Sequence, residues 1–256
     1  MATSVLQQMS RITGKHAALV KLALVGVLAW GGLCSQAAAQ GDGGQCGNVM
    51  VNGYGPYDYR TDKNKLKIVE DFHFTPSVEA LTSGASGPLG ADLDYALRAF
   101  PNHHRALIAM TNLGLKQKTE KTVGANYPVE CYFLRALAFR PDENIVRMLY
   151  AKYLAGTARK PQALNQLAAA AELAKDNAFT HYNVGLMYLD FGEYDKAIVQ
   201  AHLASQLGFE RVELKQKLQA AGKWREPLPE SVPGSAPGST PAAAPAAETA
   251  SAAKSS

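Results

Sequence analysis

Two consecutive stretches of 34 residues carry one pattern: NIVRMLYAKYLAGTARKPQALNQLAAAAELAKDN from Asn144, and AFTHYNVGLMYLDFGEYDKAIVQAHLASQLGFER from Ala178. Each reads as two short helices that cannot bury their apolar faces alone. Such a unit needs a similar neighbour on each side, which restricts the chain to a stack of helix pairs. Counting back from Asn144, the next unit starts at His104 only if six residues are inserted, and one further step of 34 reaches Glu70. The insertion lies in LKQKTEKTVGANYP, between Leu115 and Pro128, where Gly124, Asn126 and Pro128 break the helical pattern.

Small residues test this register, because two helices of a unit approach closely only where side chains are short. Ser77, Thr111, Ala151 and Gly185 stand at equivalent places in successive first helices, and Ala96, Ala136, Ala170 and Ala204 recur in the second helices. Another small residue opens the second helix in the last two units, Ala163 and Ala197, but Leu89 and Val129 hold that place earlier. Apolar faces follow helical spacing, with Phe133, Ala136 and Leu137 in one unit and Ala197, Ala201, Ala204 and Leu207 in another. Pro128 suits a helix start, where a missing N–H goes unneeded.

This pattern resembles the tetratricopeptide repeat, whose period is about 34 residues with Gly, Tyr and Ala at fixed steps. Pro101 and Pro141 keep the family's unit-closing proline, while Lys175 and Phe209 replace it. The resemblance is close in the last unit, fair in the third and second, and faint in the first. It implies an all-α, right-handed α-solenoid of helix-turn-helix repeats over residues 70–222, with units at 70–103, 104–143, 144–177 and 178–211. A polar-faced helix at 212–222 would seal the last unit, with Val212, Leu214, Leu218 and Ala221 turned inward and Gly222 ending it.

In this family the first helix of each unit lines a concave groove that takes peptides or partner proteins. Carried onto this sequence, the second unit contributes Arg105, Ile108 and Asn112, the third Ile145, Met148 and Lys152, and the fourth Phe179, Tyr182, Leu186 and Leu189. An apolar cluster at one end with cations further along suits a segment carrying apolar anchors and an acid. The opposing expectation is that the chain's own tyrosines or capping helix cover part of this face.

The N-terminus bears on location. Residues 1–39 contain Arg11, Lys15 and Lys21 but no acid, then the apolar run from Leu22 to Trp30, then Ala37-Ala38-Ala39. That order reads as a secretory signal peptide cleaved after Ala39. The alternatives are an uncleaved membrane anchor, for which the apolar run is short, and lipoprotein processing at Cys34, before which Leu33 is too large. Without residues 1–39 the charge falls from +4 to +1, with 23 Lys and Arg against 22 Asp and Glu. So balanced a chain has no electrostatic footprint for nucleic acid. Two cysteines remain, Cys46 and Cys131, an even pair that in an exported protein favours a disulfide.

Segment 40–69 is rich in Gly, Asn and Tyr, lacks helical periodicity up to Lys67, and carries Tyr54, Tyr57 and Tyr59; it reads as an ordered cover packed on the first repeat. Residues 223–256 are mostly Pro, Ala, Gly, Ser and Thr, too poor in large apolar groups to offset chain entropy, and read as a disordered tail. No phosphate loop, nucleophile elbow or His-Glu-x-x-His motif is present. Carboxylate pairs such as Glu70 with Asp71, and Asp92 with Asp94, read as solvated helix surface. His103 and His104 diverge by about 100 degrees on a helix, so helix initiation explains them better than joint ligation of a metal with His73. The sequence thus reads as a non-enzymatic, cofactor-free periplasmic adaptor or scaffold that binds protein or peptide. A self-associating solenoid is the alternative, and a histidine-dependent metal carrier a weaker one.

Overall fold

A computed structural model describes residues 44–209 and 211–226. The expected signal peptide at 1–39 and residues 227–256 of the expected tail lie outside the described residues. Those described are all-α: ten helices and no strand. None of these helices is long and apolar enough to cross a membrane.

Two closely packed helix pairs end the stack, α6 (Asn144–Gly156) with α7 (Lys160–Ala174) and α8 (Ala178–Asp190) with α9 (Tyr194–Gln206). Before them α4 (His104–Gln117) and α5 (Val129–Phe139) touch less extensively, α4 packing more on the helix that precedes it. First helices touch in sequence, α4 against α6 and α6 against α8, and α7 also meets α8. Sequence signals set the starts: Asn177 Oδ1 accepts from Thr180 N at 2.9 Å, and Pro128 caps α5. The recurrent alanines Ala96, Ala136, Ala170 and Ala204 are all buried, as are Ala151, Ala163, Gly185 and Ala197. Gly185 marks a close approach, where an added Cβ would stand 2.5 Å from Leu214 Cδ2 and 3.2 Å from Gln200 Cβ. One contiguous apolar core runs from Leu66 to Leu218.

Before α4 the pattern changes. In place of one first helix stand α1 (Lys63–Phe72) and the single turn α2 (Pro76–Glu79), both packed on α3 (Leu89–Ala99). Pro76 disfavours helix at the preceding residue, so Thr75 is extended, and its hydroxyl caps the new turn. The helix from Lys63 corrects the reading of this stretch as free of helical periodicity. Glu70 lies in the last turn of α1 rather than at a helix start.

The inserted loop is an ordered strut. Lys118 ends α4 in the left-handed region, Thr122 and Ala125 are buried, and Asn126 reaches back to Asp94 with its backbone N–H at 3.2 Å and its side-chain amide at 2.8 Å. Asp94 also accepts from Tyr132 Oη at 2.5 Å and Arg98 Nε at 2.8 Å. Asp92 accepts from the N–H groups of Ala85 and Ser86 and pairs with His73 Nδ1 at 3.1 Å. Expected on a solvated surface, Asp92 and Asp94 are instead buried, each satisfied by several donors.

Helix α10 (Glu213–Ala220) packs on α8 and α9, burying Leu214 and Leu218. Val212 and Ala221, expected on the same face, are exposed, because they flank the helix as its caps. Gly222 follows with φ +65°.

Candidate functional site

The face formed by α4, α6 and α8 begins at Arg105, which does not offer a free charge. Its Nε donates to Glu79 Oε1 at 2.7 Å, a second nitrogen meets Glu79 Oε2, and Glu70 lies 3.3 Å away. The guanidinium also covers the Phe74 ring at 5.3 Å, so Arg105 ties α4 to α1 and α2. Glu79 supplies the hydrogen bond that holds Arg105 well above the usual arginine range.

Beyond it the face opens. Ile108 is 44% exposed, Ile145 39% and Phe179 57%, each on a successive first helix. Asn112 and Lys152 are exposed beside them, and Lys152 has no ion pair among the described residues. Met148, Leu186 and Leu189 are half-buried against the core. Tyr182, expected on the open face, is 4% exposed: its ring meets Phe209 at 5.0 Å and its hydroxyl donates to Glu213 Oε2 at 3.3 Å. Phe209, standing where the resemblance calls for proline, also meets Phe179 edge-on at 5.9 Å. The chain's own C-terminal part therefore covers one end of the expected groove.

The other end is held by a buried polar junction that sequence reasoning did not find. Residues 54–62 lie across the corner between α3 and α4, with Tyr57 N donating to Ala99 O at 2.9 Å and Tyr59 stacked on His103 at 4.2 Å. Gly55 permits this approach; with φ +90°, an added Cβ would come within 2.4 Å of Ala99 O. Beneath residues 44–62, the N-terminal leader of the described chain, Asn102 Nδ2 donates to Asp58 Oδ1 at 2.7 Å and Glu143 Oε2 at 3.1 Å, while its Oδ1 accepts from Tyr59 N at 2.9 Å. Arg60 reaches Asp58 at 2.9 Å, Asp142 at 2.8 Å and Glu143 at 3.1 Å, and Arg140 comes within 2.7 Å of Asp58. Burial alone would raise the Asp58 carboxyl, but the bonds from Arg60 and Asn102 outweigh it and hold it far below the carboxylate range.

His103 caps α4, its Nδ1 accepting from Ala106 N at 3.2 Å, and is fully buried between Tyr59 and Phe74. Burial, with Arg105 and His104 nearby, pushes its pKa down to about 3. Nε2 then carries the proton, 3.3 Å from Glu70 but without hydrogen-bond geometry. His104 Nε2 lies 3.3 Å from Glu143, and His73 stacks on Tyr95. Each of these three histidines has its own protein partner. No cluster of three or more His, Cys, Asp or Glu suited to a metal occurs among the described residues.

Cys46 and Cys131 form a disulfide, Cα–Cα 5.0 Å, anchoring the leader to α5. Such a bond fits an extracellular compartment. No family model matches this chain, and no curated protein does. The residues themselves therefore carry the functional reading.

Proposed function

We propose that this chain is an exported right-handed solenoid of tetratricopeptide type that binds a protein or peptide segment along the first helices of its units. It acts as a periplasmic adaptor or scaffold in cell-envelope assembly. The observation carrying this reading is that Ile108, Ile145 and Phe179 stay exposed on three first helices that touch in sequence, α4, α6 and α8. Burial of Ala96, Ala136, Ala170 and Ala204, and of Ala151 and Gly185, supports the repeat register, whereas Ser77 and Thr111 at the earlier first-helix places are half-buried; the disulfide supports export.

The groove so defined is narrower than the sequence expectation. Tyr182 serves the C-terminal seal and Arg105 the N-terminal one, which leaves Ile108, Asn112, Ile145, Lys152 and Phe179 for a ligand. Three buried apolar anchors would supply roughly 5–9 kcal/mol before association costs are subtracted, so affinity should be micromolar or weaker unless further contacts form. A short amphipathic or extended segment with apolar side chains and an acid opposite Lys152 fits. Replacing Ile145 and Phe179 together by Asp should abolish capture of such a segment while circular dichroism stays unchanged; undiminished capture would refute the assignment.

A further inference from the structure

A second concavity lies away from the first-helix face. Its volume is about 750 Å³, between the leader at Cys46–Val49, helix α5, and residues of α6 and α7. That size is within the roughly 300–1,000 Å³ of small-molecule sites. Val49, Leu134, Leu137, Pro141 and Tyr150 give it apolar walls, and no Asp or Glu is among its lining residues.

Two arginines line it. Arg135 is 2% exposed; its Nη1 donates to Cys46 O at 3.0 Å and its guanidinium covers the Tyr127 ring at 4.7 Å. Its Nε and Nη2 are buried with no hydrogen-bond partner among the described residues. Arg147 donates to Gln166 Oε1 at 3.1 Å and Pro141 O at 2.8 Å, and its Nε is likewise unpartnered. Neither has a carboxylate within ion-pair distance among the described residues. Asp94, whose charge reaches Arg135, is already occupied by Arg98, Tyr132 and Asn126. Burial pushes both guanidinium groups down from the usual arginine value. A buried cation without a counter-charge costs several kcal/mol, which an anionic ligand would offset.

We infer that this pocket binds a small organic monocarboxylate, its carboxylate held by Arg135 and Arg147 and its apolar body against Val49, Leu134, Leu137 and Tyr150. Arginine suits the anion because its planar fork matches a carboxylate. The apolar walls select against bare inorganic anions. The site is independent of the first-helix groove, and Cys46 in its rim makes it depend on the disulfide.

Isothermal titration of the full, disulfide-bonded chain with straight-chain carboxylates from butanoate to decanoate, each beside its primary amide, tests this. At least one acid should bind, and its amide about tenfold more weakly or worse, the loss matching one charge-assisted pair. Arg135→Gln should remove that preference. Because that variant alters a buried group, Arg147→Gln provides a second, milder probe and should weaken the same acid. Equal binding of acid and amide, no acid binding up to about 10 mM, where the interaction is worth under about 3 kcal/mol, or a preference unchanged in both variants would overturn the inference.

Discussion

Asn102 Nδ2 donates to Asp58 Oδ1 at 2.7 Å across 44 residues of chain, inside a junction where both side chains are buried. The same amide satisfies Glu143, so one neutral residue separates two carboxylates and hands each a proton donor. The leader is thereby built into the helical stack, and the end facing α1–α3 is closed by side chains from 58, 102 and 143.

Asn102→Ala removes three hydrogen bonds, leaving the Tyr59 N–H without its acceptor and Asp58 and Glu143 with one donor fewer each. It should cost about 2–4 kcal/mol in urea unfolding, and expose the leader to trypsin at Arg60 and Lys63 before the helices open. Asn102→Asp, which places a third carboxylate there, should cost more at neutral pH.

Much of the architecture was legible, and the limits are physical. The last two helix pairs follow from small residues at fixed steps, because close helix approach demands them, whereas at Thr111 the expected place is only half-buried and α4 touches α5 lightly. The first unit was not legible, since its helix starts early, at Lys63, stops at Phe72 and starts afresh at Pro76, and neither event leaves a periodic mark. Asp58, Asn102 and Glu143 meet only through tertiary packing, so no local spacing betrays them; Asp92 and Asp94 looked solvated because helical position alone does not reveal that the 80–88 loop and the inserted strut supply donors. Tyr182 had the right helical position for the groove, and what displaced it was Phe209 and α10, which lie further along the chain.

The His103 pKa, pushed down to about 3, fixes the sign of a pH effect. Between pH 6.5 and 3 the unfolded chain takes up a proton that the native ring refuses, so stability falls with falling pH by about 1.4 kcal/mol per unit at full effect. Asp58 and Glu143, both lowered, lose their contribution only as pH drops below about 4. His103→Asn keeps an N-cap side chain and should flatten the stability curve between pH 6 and 5. An unchanged slope in denaturant titrations would exclude His103 as its source.

Gly185 and Leu214 define the seal at the other end. Gly185→Ala should destabilise by about 1–3 kcal/mol through overpacking, and Leu214→Ala by about 2–5 kcal/mol through a cavity. The double variant should be less destabilised than the sum, because each change relieves the other's defect. Strict additivity would mean that α10 does not rest on Gly185.

Cys46 and Cys131 close a loop across a sequence separation of 85. Replacing both by Ser should lower stability by up to about 4 kcal/mol while leaving helical content unchanged by circular dichroism. It should also loosen residues 46–49, seen as faster amide hydrogen exchange there.

The most direct test of the adaptor reading is site-specific photo-crosslinking in the native envelope, with a photoreactive residue placed in turn at Ile108, Ile145 and Phe179 and, as control, at Val199 on α9, which is 55% exposed. The three first-helix positions should yield one shared adduct with a partner protein or peptide, and Val199 none. An adduct from Val199 alone, no adduct from any first-helix position, or adducts only of twice the chain's own mass would contradict it, the last favouring a self-associating solenoid.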